Sequence, residues 1–307
     1  MTPVLSVNQL TKFYGPIKAL DNVSFDVPQG SVFGILGPNG SGKTTLLGIV
    51  MDIIKATKGN FLWDGQPGSN EKRKQIGTLL ETPNFYHYLS GEKNLRIAAA
   101  IKGKGDGDID TVLEKVNLLG RKTSKFSTYS LGMKQRLAIA STLLGNPNIL
   151  VFDEPTNGLD PAGIAEIRDL MKELSRQGKT IIMASHILDE VEKVCSHVAI
   201  IQKGVLKTVG TVQEVLNATT SDKVVVVEIE LSADNMEMLE DVLNQMPGIN
   251  AVNKSDTGFA LEGDEMLTTT AVNKYCYEKG VVLSHLNLKR KSLEKRFLEI
   301  TGGKSDR

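Results

Sequence analysis

The sequence predicts an α/β layer protein built on a mostly parallel sheet, followed by a smaller α+β module. Three observations carry the prediction. Short, continuous apolar runs such as Ile149-Leu150-Val151-Phe152 alternate with stretches at helical spacing, the pattern of strands covered by helices on both faces. A glycine-rich turn separates one of these strands from the helix after it. Near Thr219-Thr220-Ser221-Asp222 a polar junction leads into a second series ordered β-α-β-β-α-β, the order of a split βαβ, ferredoxin-like module.

From Leu5 to Gly30 the apolar residues alternate in strand fashion (Leu5, Val7, then Val23, Phe25, Val27), with Gly15-Pro16 and Pro28-Gln29-Gly30 marking turns. Val32–Leu36 reads as a buried strand, Lys43 to about Ile54 as a helix, and Gly59 to Asp64 as another short strand. Between Gly91 and Gly145 the pattern is mainly helical, interrupted by the charged, glycine-rich Lys102–Asp110. After the Ile149–Phe152 strand, Ile164, Ile167, Leu170, Met171 and Leu174 recur at helical spacing. Thr180–Ala184 is a strand, Leu188–Cys195 a helix, and Val198–Gln202 the last strand of this series. The second series places strands at Lys223–Leu231, Ile249–Lys254, Phe259–Leu261 and Val281–Leu286. Helices are expected at Asn235–Gln245 and Met266–Lys279, and a basic amphipathic helix closes the chain. The expected division is into residues 1–219 and 220–307, with a helical subdomain at about 84–146.

The 307 residues suffice for one large and one small domain. Basic and acidic residues balance at 36 each, so no overall field advertises a nucleic-acid or anionic-membrane surface. The first residues, MTPVLSVNQLTKFYG, hold no apolar signal core. The strongest apolar runs, such as Val224–Val227 and Ile181–Ala184, fall far short of the roughly 20 residues that span a bilayer. Cys195 and Cys276 match no metal spacing and are expected as buried free thiols rather than a disulfide.

Gly37-Pro38-Asn39-Gly40-Ser41-Gly42-Lys43-Thr44, followed by Thr45, satisfies G-x-x-x-x-G-K-[ST]. Glycines let successive backbone N–H groups turn inward around phosphate oxygens, and the following helix presents its positive end to them. Lys43 has the reach for the β- and γ-phosphates of ATP, and the Thr44 hydroxyl suits Mg²⁺. An ordinary glycine-rich turn is the bland alternative. The position between a strand and a helix favours the phosphate cradle.

Ile149–Phe152 ends in two adjacent carboxylates, Asp153 and Glu154. Side chains alternate along a strand, so the two can divide their roles. Asp153 suits the Mg²⁺ shell, and Glu154 suits a general base that polarises the attacking water.

With these residues in place, the chain resembles the ATP-binding subunits of ABC transporters, over residues 1 to about 215. The stretch Tyr129-Ser130-Leu131-Gly132-Met133-Lys134-Gln135-Arg136 is similar to that family's signature, L-S-G-G-Q-x-Q-R. Ser130, Gly132, Gln135 and Arg136 match; Tyr129, Leu131 and Met133 depart. The resemblance implies a P-loop NTPase core of the ABC type, with an antiparallel β subdomain and a helical insertion. It also implies that Ser130 and Gly132 face the γ-phosphate held by the opposite subunit. Tyr14 would stack on adenine, and Asp160 in Asn157-Gly158-Leu159-Asp160 would communicate across the dimer. His186, in Ala184-Ser185-His186, would bond the γ-phosphate and orient the water with Glu154. From the residues alone, Ser130 also reads as a plain helix N-cap, Asn157–Asp160 as a turn ahead of Pro161 at a helix start, and Phe13 and Tyr14 as core residues. His87, His197 and His285 take no catalytic assignment.

One departure falls on Leu79-Leu80-Glu81-Thr82-Pro83, where Glu81 stands in place of the family's usual glutamine. A carboxylate there is expected on the metal side with Thr44 and Asp153, adding negative charge near the phosphates. That segment, Phe85-Tyr86 after it and the Tyr129–Met133 form of the signature resemble the bacitracin and lantibiotic-resistance branch of ABC exporters. What the resemblance implies is a head-to-tail homodimer on the cytoplasmic face of a membrane. It would power a separate transmembrane permease and bind no nucleic acid. The aromatics of Pro83–Asn94 (Phe85, Tyr86, Tyr88) would form the groove for the permease's coupling helix. The alternative is a non-transport ABC ATPase of translation or DNA repair. A single cradle, a single signature and the lack of coiled-coil or zinc motifs speak against it. Lys289-Arg290-Lys291 reads as a solvated basic run.

Overall fold

A computed structural model describes residues 3–80, 84–217, 227–255, 258–263, 267–289 and 293–301. The chain divides into two compact units, Met1–Val215 with Phe297–Arg307, and Leu216–Arg296.

The first unit is organised around a six-stranded sheet. From edge to edge its strands are Val205–Thr211, His197–Gln202, Val32–Leu36, Thr180–Ser185, Ile149–Asp153 and Ile76–Leu79. All neighbours are parallel except the first pair. Every residue of Val32–Leu36, Ile149–Asp153 and Thr180–Ser185 is buried, which explains the continuous apolar runs within them. In register, Leu36 lies beside Ser185 and Asp153 beside Ala184. The carboxyl ends of three adjacent strands are thereby aligned at one edge, where open α/β sheets place their ligands.

An antiparallel sheet of Ile17–Val27, Leu5–Tyr14, Lys58–Trp63 and Gln66–Pro67 forms the second layer. Its inward side chains, among them Leu5, Val7, Leu20 and Trp63, join Phe33, Ile35, Leu46 and Leu47 in one core. Trp63 is fully enclosed, and its Nε1 donates to Val50 O at 2.9 Å. The helical region holds Gly91–Lys102, Ile109–Lys115 and Leu131–Leu143. Helix Pro161–Arg176 buries Ile167, Leu170, Met171 and Leu174, four of the five residues that predicted it.

Several sequence expectations shift. The helix from Lys43 stops at Val50, not Ile54. Val198–Gln202 is not the last strand, because Val205–Thr211 returns antiparallel to it at the sheet edge. Ile76–Leu79 was not anticipated: it has four residues, and Gly77 interrupts its apolar pattern. A Cβ on Gly77 would stand 2.4 Å from Thr142 O, so glycine is what lets this strand approach the helix beside it.

The second unit is a four-stranded antiparallel sheet ordered Ile249–Ser255, Gly258–Gly263, Val227–Ala233, Leu283–Lys289. Helices Met236–Asn244 and Thr269–Glu278 cover its apolar face, packing Leu239, Leu243, Val272 and Cys276 on Ile229, Leu231, Phe259 and Leu261. This is the expected split βαβ arrangement. The chain closes on helix Leu293–Thr301, whose sequence holds two acidic and two basic residues. The junction at Thr219–Asp222, the start of the Lys223 strand, Met266, and Arg290 and Lys291 lie outside the described residues.

Candidate nucleotide site

The phosphate loop leaves the sheet at Leu36 and enters helix Lys43–Val50. Its shape depends on close backbone approach. A Cβ on Gly37 would lie 2.2 Å from Ile201 O and 2.4 Å from Ser41 Oγ. At Gly42 (φ 107°) it would lie 2.5 Å from Ala19 O. Gly204 N–H donates to Ser41 O at 3.0 Å and fastens the loop to the neighbouring turn. Ser41 Oγ is buried without a hydrogen-bond partner in the protein, as expected of a cradle whose polar atoms await phosphate oxygens. Asn39, Gly40 and Thr44 are exposed, with Pro38 and Thr45 half-buried beside them.

Lys43 is 5 % exposed. Its Nζ donates to Gly37 O at 2.8 Å and Pro38 O at 3.2 Å, and lies 3.6 Å from Glu154 Oε1. Asp153 ends its strand and is buried, whereas Glu154 stands just beyond it at φ 49°, in the left-handed region. Strand alternation therefore does not separate the two carboxylates. The strained turn at Glu154 does. From the adjacent strand end, His186 Nδ1 meets Glu154 Oε2 at 2.9 Å. Lysine, glutamate and histidine from three separate elements thus converge on one point. The Thr44 hydroxyl and Asp153 carboxylate are hard oxygen donors of the kind Mg²⁺ takes.

Tyr14 ends strand Leu5–Tyr14 with 44 % of its surface exposed and Lys12 Nζ 4.9 Å from its ring centre. Phe13 is also exposed, so neither ring packs into the core.

The signature residues form a second cluster. Ser130 caps helix Leu131–Leu143, its Oγ accepting from Met133 N–H at 3.3 Å. Asp160 caps helix Pro161–Arg176 in the same way, accepting from Gly163 N–H at 3.0 Å. Ser130, Gly132, Gly158 and Asp160 line one open groove of about 370 Å³. Its lining includes none of the phosphate-loop residues, nor Glu154 or His186. Tyr129 is buried beneath, its hydroxyl donating to Arg121 O at 2.8 Å, and burial raises that hydroxyl's pKa.

Two connections escaped the sequence reading. Gln135 Nε2 donates to Pro155 O at 2.9 Å, fastening the signature helix to the residue after Glu154. Thr156 Oγ1 bonds Glu190 Oε2, both side chains buried. Glu81 lies outside the described residues. Tyr86 and Tyr88 are exposed and edge-to-face at 5.9 Å, while Phe85 turns inward onto Phe126 at 5.3 Å. His87 packs on Phe126, and His197 against Phe33.

A glycine cradle at a strand–helix turn, with a lysine, two carboxylates and a histidine at adjacent strand ends, defines a nucleotide-hydrolysing P-loop protein. The ABC transporter family model matches residues 20–157. The chain is 39 % identical to YhcH of Bacillus subtilis, an uncharacterised ABC transporter ATP-binding protein, over 98 % of this chain and 97 % of YhcH. It is 35 % identical to the bacitracin transport ATP-binding protein BcrA of Bacillus licheniformis, over 99 % of each. Among solved structures, an ATP-binding cassette captured as a dimer in a post-hydrolysis state with ADP and Pi superposes with a TM-score of 0.61. It is 26 % identical, covering 67 % of this chain and 98 % of that one. The chain belongs to the ATP-binding proteins of ABC transporters: it is an ATP-binding, ATP-hydrolysing transporter subunit. Among the described residues no helix is long and apolar enough to cross a membrane.

Proposed function

We propose that this subunit drives an exporter, pairing head to tail with a second copy on the cytoplasmic face of a membrane, against a separate transmembrane permease. The observation that carries this reading is the split of the site. Gly37–Thr45, Glu154 and His186 gather at one strand edge, while Ser130, Gly132 and Asp160 line a different groove. A second copy turned head to tail would bring its groove to the first copy's γ-phosphate, where the Ser130 hydroxyl and helix N-terminus offer donors. The dimeric ADP- and Pi-bound cassette supports the pairing. Relation to BcrA, a bacitracin transport protein, supports export.

In this reading Tyr14 stacks on the adenine ring and the phosphate loop holds the triphosphate. Lys43 moves its hydrogen bonds from Gly37 O and Pro38 O to phosphate oxygens. Thr44 and Asp153 would hold Mg²⁺, which would supply charge neutralisation on the phosphates, and Glu81 is assigned beside them from its place in the chain. Glu154 accepts the proton of the attacking water, and His186, bonded to its carboxylate, orients it and the γ-phosphate. ATP closes the dimer because both copies touch it; loss of the γ-phosphate removes those contacts and reopens it. Tyr86 and Tyr88 offer an exposed aromatic surface for the permease's coupling helix. Residues 1–219 form the ATP-binding domain and 220–307 an accessory domain. Nucleic acid plays no part. The test is affinity purification from gently solubilised native membranes with mass spectrometry of co-purifying chains. A stoichiometric multi-spanning partner is expected. Recovery of ribosomes or DNA-repair complexes alone would overturn the transport reading.

A further inference from the structure

The Thr156–Glu190 hydrogen bond joins the two loops that carry the proposed base and its partner. Glu154 and His186 begin loops at neighbouring strand ends, where Asp153 stands beside Ala184 in register. Neither loop is held by regular structure at that point. Glu154 is in the left-handed region, and His186 is 38 % exposed at its side chain. Yet Glu154 Oε2 and His186 Nδ1 stand 2.9 Å apart. Two residues after Glu154, Thr156 turns its hydroxyl inward with only 2 % of its surface exposed. Four residues after His186, Glu190 lies in the first turn of helix Leu188–Val194 with 7 % exposed. Thr156 Oγ1 donates to Glu190 Oε2. Two further bonds lie close by: Ser185 Oγ accepts from Ile187 N–H at 3.0 Å within its own loop, and Glu154 N–H donates to Ala184 O at 3.0 Å at the sheet edge. A buried carboxylate is costly unless hydrogen-bonded, and the Thr156 hydroxyl supplies Glu190 with a donor that a packing role alone would not call for, since leucine would fill the same space without that cost.

We infer that Thr156 and Glu190 are positioning residues for ATP hydrolysis, a buried tie that sets the spacing between the Glu154 and His186 loops. The inference rests on the reading of Glu154 as base and His186 as its partner. Neither Thr156 nor Glu190 touches the nucleotide in this account. Loosening the tie lets the base drift from the geometry of attack while the phosphate cradle, built on other elements, keeps its grip. A misplacement of about 1 Å costs a reaction on the order of 100-fold.

The test uses the full-length chain and separates turnover from binding. ATP affinity is measured by equilibrium binding, and hydrolysis as a single-turnover rate per bound ATP. Thr156→Val is expected to slow that rate about 10- to 100-fold, with ATP affinity within about threefold of wild type. Thr156→Ser, which keeps the hydroxyl, is expected to restore it. Since Thr156→Val strands a buried carboxylate and can fail to fold, the double variant Thr156→Val/Glu190→Leu removes both partners together. It is expected to fold and to remain slow. Wild-type rates per bound ATP in the double variant would overturn the inference, because a merely structural pair leaves chemistry intact once the fold is restored. Glu154→Gln, assayed alongside, keeps the two failures apart. If it hydrolyses ATP normally, the base assignment itself falls. If it is inactive while the double variant is fast, only the tie is refuted.

Discussion

Replacing Gly37 by alanine tests how strictly the phosphate loop depends on close backbone approach. The added Cβ would sit 2.2 Å from Ile201 O, a carbonyl fixed in the central sheet, and 2.4 Å from Ser41 Oγ. An ordinary carbon–oxygen contact is about 3.3 Å, so loop and strand must part by about 1 Å. The strand is bonded to Val32–Leu36 on one side and Val205–Thr211 on the other, so the loop has to yield. A shift of that size spoils several N–H contacts to phosphate, and the predicted loss is about 100-fold in ATP affinity, or about 2.7 kcal/mol. Gly40→Ala is the matched comparison. Gly40 has φ 76° but open space around it, so only left-handed strain of about 1–2 kcal/mol applies and the loss is smaller. Gly107→Ala, in open space at an ordinary φ, serves as the control and should bind ATP like wild type. Equilibrium binding of ATP to the three variants gives the order. If Gly37→Ala binds as tightly as Gly107→Ala, the steric account of the cradle is wrong.

His186→Ala should cut turnover by about 100-fold while leaving ATP affinity within about threefold, measured by steady-state hydrolysis and equilibrium binding. Lys43→Ala should act on affinity itself, and unchanged binding would count against the cradle as drawn. Lys102 is half-buried, its Nζ donating to Ser141 O and Thr142 O, and desolvation lowers its pKa to about 8. Because the folded pKa lies below the unfolded value, the unfolded chain binds more protons between pH 8 and 10. This lysine therefore adds stability as pH rises through that window. Lys102→Met should remove up to about 3 kcal/mol of that rise, read from urea midpoints of both proteins at pH 7.5 and pH 10. Cys195 and Cys276 are buried free thiols whose pKa values burial raises, so neither should react with a thiol reagent at pH 8 until the protein is unfolded.

What could be read from the sequence is what is encoded locally. Gly37–Thr44 announces itself because glycine is demanded at fixed positions by backbone approach, and Ile149–Asp153 and Thr180–Ser185, with apolar runs Ile149–Phe152 and Ile181–Ala184, are strands buried on both faces. Ile76–Leu79 escaped because Gly77 serves packing against Thr142, a contact 65 positions away that no local pattern signals. Val205–Thr211 escaped as a half-exposed edge strand without a continuous apolar run. The meeting of Glu154 with His186 follows from two strand ends in register, and resemblance rather than spacing pointed to it. The ties Thr156–Glu190 and Gln135–Pro155 are long-range in sequence and use residue types that elsewhere face solvent. The one available sequence signal was the Gln135-Arg136 match to the signature, which assigned no partner.

The most direct measurement is the mass of the Glu154→Gln protein by light scattering with and without ATP and Mg²⁺, alongside its hydrolysis rate. Two copies trapping ATP between phosphate loop and signature predict a stable dimer with ATP, a monomer without it, and hydrolysis reduced by several orders of magnitude. A protein that stays monomeric with ATP bound, or that hydrolyses at the wild-type rate, would contradict the account.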